Sequence, residues 1–163
     1  MDKEYTTIDK SHWGAGPWTS EPDKMQFLDQ DTGLPCLIKR HPSLGFLCGY
    51  VGVAPDHWAY GMPYGDERLE GMKVHGGLTY SAGCSHGDEA TSICHVPEPG
   101  QPDDVWWLGF DCGHAFDLAP GARDAMPLNL GFMDLSLGGG DTYRNINYIK
   151  RECAELAKQL VQV

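Results

Sequence analysis

The stretch FDCGHAFD, residues 110–117, places Asp111, Cys112, His114 and Asp117 within seven positions, directly after the bulky apolar run VWWLGF. Side chains of these types bind metal ions and carry protons. A strand leaving the core delivers such residues to a sheet end, where the backbone turns and side chains converge. Asp111, His114 and Asp117 are spaced three apart, so one turn of helix after the strand would set all three on one face. A second stretch, VHGGLTYS (74–81), offers His75 followed by two glycines that let a backbone or ligand approach closely.

Together His75, Asp111 and His114 make a two-histidine, one-carboxylate metal set that leaves positions open for water or substrate. Mixed imidazole and carboxylate ligands point to a divalent ion, with zinc first and manganese or iron next, rather than to calcium. In this reading Asp117 orients a ligand histidine or acts as general base, and Tyr80 or Thr79 donates to a bound oxyanion. Cys112 supplies a different chemistry: paired with His75 or His114 it is a candidate thiol nucleophile. Trp58, Tyr60, Trp106 and Trp107 are available to wall a pocket.

Other patterns carry less. Cys84, His86, Cys94 and His95 are zinc-ligand types, but adjacent Cys94 and His95 would point to opposite faces of a strand. The HGG of residues 75–77 has no G-x-S-x-G elbow to supply a serine. GHAFDL lacks the histidine that a zinc carboxypeptidase motif would place where Phe110 stands. GGGD, residues 138–141, precedes a helix and offers an anion site, although Asp141 brings negative charge to it.

These residues must be held by a single domain. At 163 residues the chain should bury on the order of 70% of its unfolded surface, so no cofactor is needed for stability. The 21 Gly and 11 Pro imply many turns and little long helix. A formal charge of −11, with basic residues scattered, excludes a phosphate-backbone binder and leaves a small-molecule substrate as the expected partner. No apolar stretch reaches signal-peptide or membrane-span length, so the expected location is cytoplasmic. In a reducing compartment the six cysteines are expected as free thiols or metal ligands.

Residues 1–20 read as a loose arm anchored by Trp13 and Trp18. MQFLDQDTGLPCLIKR reads as a hairpin turning at Gly33, and 45–53 as a central strand. Strands are also expected at 73–81 and 105–111, more weakly at 92–97, with one helical turn at Asp56 to Tyr60. The clear helix is 141–161, capped by Asp141 or Thr142, with Ile146, Ile149, Ala154, Leu156, Leu160 and Val161 as its apolar stripe. One amphipathic helix on a mainly antiparallel sheet makes an α+β domain.

The segments LCGYVGV, VHGGLTYS, VWWLGFDCGH and YRNINYIKRECAELAKQL resemble an uncharacterised family of small phage and bacterial proteins, over most of the chain from about Gly16. The resemblance implies a compact intracellular protein and assigns no residue a role. Two functions are therefore expected. One is a small metal-dependent hydrolase acting on a phosphoester or amide. The other is a non-enzymatic phage-type binding protein that sequesters a ligand or presents its acidic surface to a basic host protein.

Overall fold

The computed structural model describes residues 2–122 and 141–162. Six strands form one antiparallel sheet: β1 (Lys3–Tyr5), β2 (Lys24–Leu28), β3 (Pro35–Arg40), β4 (Leu47–Val53), β5 (Tyr80–Gly83) and β6 (Trp106–Asp111). Their order across the sheet is β1-β2-β3-β4-β6-β5. Helix α1 (Ile146–Val161) packs on the middle of one face, chiefly against β4 and β3, so the α+β expectation holds.

Side chains alternate along a strand, and the pairing register fixes which set lies under the helix. Ile38, Val51, Leu108 and Phe110 face α1, which buries Ile149, Cys153, Leu156, Ala157 and Leu160 against them. The spacing runs 149, 153, 156, 157, 160, as a 3.6-residue period requires. Cys153 and Ala157 therefore take the core places expected of Ala154 and Val161, and Val161 is exposed. The helix begins later than expected: Asn145, not Asp141 or Thr142, caps it by accepting from the Tyr148 amide (2.9 Å). At its far end the Leu160 carbonyl accepts from Trp58 Nε1 and lies 3.0 Å from His57 Nε2. Trp58 is thus a helix stop, and Trp107 is core.

The β2–β3 hairpin turns where expected. Asp29 Oδ2 accepts from the Thr32 amide and hydroxyl, and Gly33 adopts φ 75° with its amide on the Asp29 carbonyl. The 73–81 expectation fails over residues 73–79: Gly76 and Gly77 have positive φ, which breaks an extended run, and the strand starts only at Tyr80. Residues 92–97 form no strand, and 56–60 make turns without helix. The arm 1–20 contributes β1 and two 3-10 turns, with Trp13 and Trp18 buried as anchors.

The face away from α1 carries Leu37, Tyr50, Val105 and Trp107, with Cys48, Tyr80 and Ile93 against them. Segment 84–96 crosses it, held by Lys24 Nζ on the carbonyls of Glu89 (2.5 Å) and Cys94 (3.0 Å). The Gln26 amide exchanges two hydrogen bonds with the Val96 backbone. Cys84 and Cys94 are disulfide-bonded, contrary to the expectation of free thiols or metal ligands; Cys36, Cys48, Cys112 and Cys153 are free. Among the described residues no helix is long and apolar enough to cross a membrane.

A buried ion network ties the arm, the sheet and the approach to α1. Arg40, at the end of β3, is 1% exposed. It donates to Asp23 Oδ1 (2.9 Å), Glu21 Oε1 (3.3 Å), the Gly45 and Pro22 carbonyls, and the Tyr143 hydroxyl (2.8 Å). Asp23 also accepts from Lys10 and from the amides of Thr7 and Ile8. Removing one member strands buried charge, so Arg40→Ala should destabilise the fold by about 3–5 kcal/mol. The check is the urea midpoint at constant slope; a shift worth under about 1 kcal/mol would show that the network is not needed.

Candidate functional site

Three elements meet beyond the C-terminal end of β6: the turn 112–117, the loop 74–79, and the entry and first two turns of α1. The turn is not helical. The Gly113 amide donates to Asp111 Oδ1 (3.0 Å), the Asp117 amide to the His114 carbonyl (3.0 Å), and the His114 amide back to Asp117 Oδ2 (3.1 Å). Phe116 sits at φ 72°, the only described non-glycine residue with positive φ, and its side chain is 64% exposed. A bulky residue rarely adopts that conformation, and it holds here because the chain on both sides is pinned. The Phe116 carbonyl accepts from the Thr142 amide, and the Leu118 amide donates to the Thr142 carbonyl, each at 2.8 Å.

Asp117 is the hub, its side chain 1% exposed. His75 Nε2 lies 2.8 Å from Oδ2 and Arg144 Nε 2.9 Å from Oδ1. Burial alone would push this carboxyl up, but the bonds from His75, Arg144 and the His114 amide outweigh it and hold the group below the usual carboxylate range. An ionised carboxylate only accepts, so in a neutral imidazole Nε2 carries the proton. Nδ1 then accepts from the Tyr148 hydroxyl, 2.7 Å away. The His75 amide donates to Glu152 Oε1 (2.7 Å). Tyr148 and Glu152 stand four apart on α1, so one helical face grips both the ring and the backbone of this histidine.

Cys112 completes the cluster. It follows β6 on the helix side, 1% exposed. Burial and then the Asp117 charge push its thiol well above the ordinary value, so by itself it is a poor nucleophile at neutral pH. One ligand atom from each of His75, Cys112 and Asp117 lies within 4.8 Å of the others. Tyr148 stays protonated, its hydroxyl pushed up by burial and by Glu152.

The expected trio His75, Asp111 and His114 is not the set brought together. Asp111 points to the face away from α1, because strand geometry continues through it and adjacent residues alternate. Its Oδ2 accepts from Thr79 Oγ1 (3.0 Å). His114 packs on Gly76, where a Cβ would lie 2.3 Å from its Nε2, so only glycine leaves room for the ring. Its Nε2 is 3.3 Å from Asp111 Oδ1 yet not aligned for a hydrogen bond, and it is shielded from solvent. The His75 and His114 ring centroids are 6.2 Å apart. Tyr80 lies across the sheet from this cluster, edge-on to Tyr50 (5.2 Å).

The rival zinc set is closed by the Cys84–Cys94 bond, with His95 edge-on to Trp107 at 5.3 Å between ring centroids. Residues 138–140 of the GGGD run lie outside the described residues. The sequence reading missed Tyr148, Arg144 and Glu152. The available signal was their i, i+4 recurrence on the polar flank of the helix, continued by Gln159, which bonds to the Lys73 backbone. No protein-family model, curated protein or solved structure matches the chain.

Because the folded-state pKa of Asp117 is depressed, its contribution to stability is present above the unfolded value near ~4 and is lost as pH falls through the folded one. Asp117→Asn should therefore flatten the decline in stability between about pH 5 and pH 2. Urea unfolding at stepped pH tests this; equal acid slopes in both proteins would refute it.

Proposed function

We propose that the chain is a small hydrolase of soluble small molecules, phosphoesters or amides, whose centre holds a zinc ion between His75, Cys112 and Asp117. The observation that carries this reading is the convergence of those three ligand atoms within 4.8 Å at a strand end. Ligand atoms on a tetrahedral zinc stand roughly 3.4–3.8 Å apart, so small side-chain rotations suffice. Zinc accepts thiolate, imidazole and carboxylate together, whereas harder ions avoid the thiolate. Three protein ligands leave a fourth position, where zinc lowers the pKa of bound water. A bound cation also reverses the logic of a buried thiol, since coordination deprotonates it.

The neighbours suit hydrolysis. Arg144 uses Nε on Asp117 and is 26% exposed, so its other N–H groups are available to a substrate oxyanion. Tyr148 supplies a protonated hydroxyl to a leaving group or oxyanion. Asp111 and His114 stay outside this ligand set, and Tyr80 outside this catalytic one.

A second reading needs no metal. His75 is held on both nitrogens, by Tyr148 and Asp117, which is the arrangement of an oriented acid–base histidine. The experiment is elemental analysis of tag-free protein, followed by turnover of a phosphoester and amide panel with and without chelator. Near-stoichiometric zinc is expected, reduced at least tenfold in Cys112→Ser and His75→Ala but retained in Asp111→Asn. Turnover that survives both chelation and Cys112→Ser would instead favour the metal-free reading. No zinc after reconstitution and no turnover would overturn both and leave a binding protein.

A further inference from the structure

On the face of the sheet away from α1, a shallow cavity of about 280 Å³ lies over the junction of β4, β5 and β6. Phe46, Tyr50 and Tyr80 supply aromatic wall, and His41, Thr79 and Asp111 the polar groups. The ladder explains the company: Tyr50 and Tyr80 both pair with Gly109, and Asp111 pairs with Cys48, so their side chains share a face. Gly109 has no side chain to separate the two rings, which meet edge to face.

Asp111 is the one carboxylate lining this cavity. Its oxygens take one bond each, from the Gly113 amide and the Thr79 hydroxyl; His114 Nε2 lies 3.3 Å from Oδ1 without a hydrogen bond, and no Lys or Arg pairs with it among the described residues. It is 29% exposed, enough to meet a ligand without first breaking a buried contact. Lys39 stands on the same face but one strand further, opposite Cys48. His41 Nδ1 accepts from the Leu44 amide (3.0 Å), which puts the proton of the neutral ring on Nε2. Burial and Lys39 hold this histidine below the ordinary value, so it does not compete as a cation.

We propose that this cavity binds a flat organic cation, an amidinium or guanidinium, with its N–H groups on Asp111 and its plane against the Tyr80 ring, while Tyr50 and Phe46 close the sides. A carboxylate beside aromatic faces recognises such cations by charge-assisted bonds and by attraction to the ring quadrupole. The formal charge of −11 enriches cations around the surface. Asp111 and Cys112 are consecutive but face opposite ways, so this cavity opens on the other face of the sheet from the proposed zinc centre.

The test is calorimetric titration of the full chain with benzamidine, its neutral analogue benzyl alcohol, and N-acetylarginine amide. Benzamidine should bind at least tenfold more tightly than benzyl alcohol. Asp111→Asn should weaken it at least tenfold, and Tyr80→Leu, on a half-exposed edge strand, about two- to fivefold, from the usual size of a cation–aromatic contact. Circular dichroism and zinc content should be unchanged in both. Tighter binding of N-acetylarginine amide would identify a peptide side chain as the source of the cation, and tighter binding of benzamidine a free aryl cation. Equal affinity for benzyl alcohol, or no effect of either substitution, would overturn the proposal.

Discussion

The architecture depends on one buried charge. The Arg40 guanidinium is almost wholly removed from water, and that is tolerable only because its donors find carboxylates, carbonyls and a hydroxyl in fixed places. Those acceptors come from far apart in the chain: Asp23 and Glu21 before β2, Gly45 before β4, and Tyr143 before α1. Glu21 in turn accepts from Tyr143 (2.5 Å) and from the Ile146 amide at the helix start. The residue after Tyr143 is Arg144, which reaches Asp117. The requirement to satisfy one arginine therefore sets where the helix begins, and so where Arg144, Tyr148 and Glu152 meet His75.

The second constraint is the two-residue period of a strand. β6 ends on Asp111, and because Cys112 continues its alternation, neighbouring chemical groups are sent to opposite faces. The three-residue spacing of Asp111, His114 and Asp117 suggested a shared helical face, but Gly113 bonds back to Asp111 and the chain turns instead. Asp117 then returns under the helix through a strained Phe116 that the pairing with Thr142 holds in place.

What was legible in the sequence was local. The hairpin at Gly33, strands β4 and β6 and, of the α1 stripe, Ile149, Leu156 and Leu160 follow from periodicity and turn chemistry within about fifteen residues. His75, Cys112 and Asp117 are all legible in the sequence as candidate types; spacing groups His75 with Asp111 and His114, whereas the fold brings His75 to Cys112 and Asp117. The regrouping turns on contacts separated by 42 and 73 positions, His75 to Asp117 and His75 to Tyr148, which no spacing rule reaches. The same holds for segment 84–96. Its backbone is fixed by Lys24 and Gln26 side chains rather than by a ladder, so it shows no strand pattern, and its cysteines pair with each other.

His75 links the two chemical readings through a single proton. In the hydrogen-bonded arrangement Nε2–H faces Asp117 and Nδ1 faces the Tyr148 hydroxyl. An ion taking Nε2 and an Asp117 oxygen requires that proton to leave Nε2. The neutral ring then carries it on Nδ1, where it must donate to the tyrosine oxygen instead of accepting from it. That reversal turns the tyrosine O–H away from the imidazole and frees it to donate elsewhere. In the proposed zinc centre, metal capture and the release of the Tyr148 hydroxyl from the imidazole would thus be one switch of tautomer, and the carboxylate that orients His75 in the hydrogen-bonded arrangement would become a ligand. A site of this kind needs Glu152 on the His75 backbone, because the ring keeps its position only if something other than its own nitrogens holds the loop while the hydrogen bonds exchange.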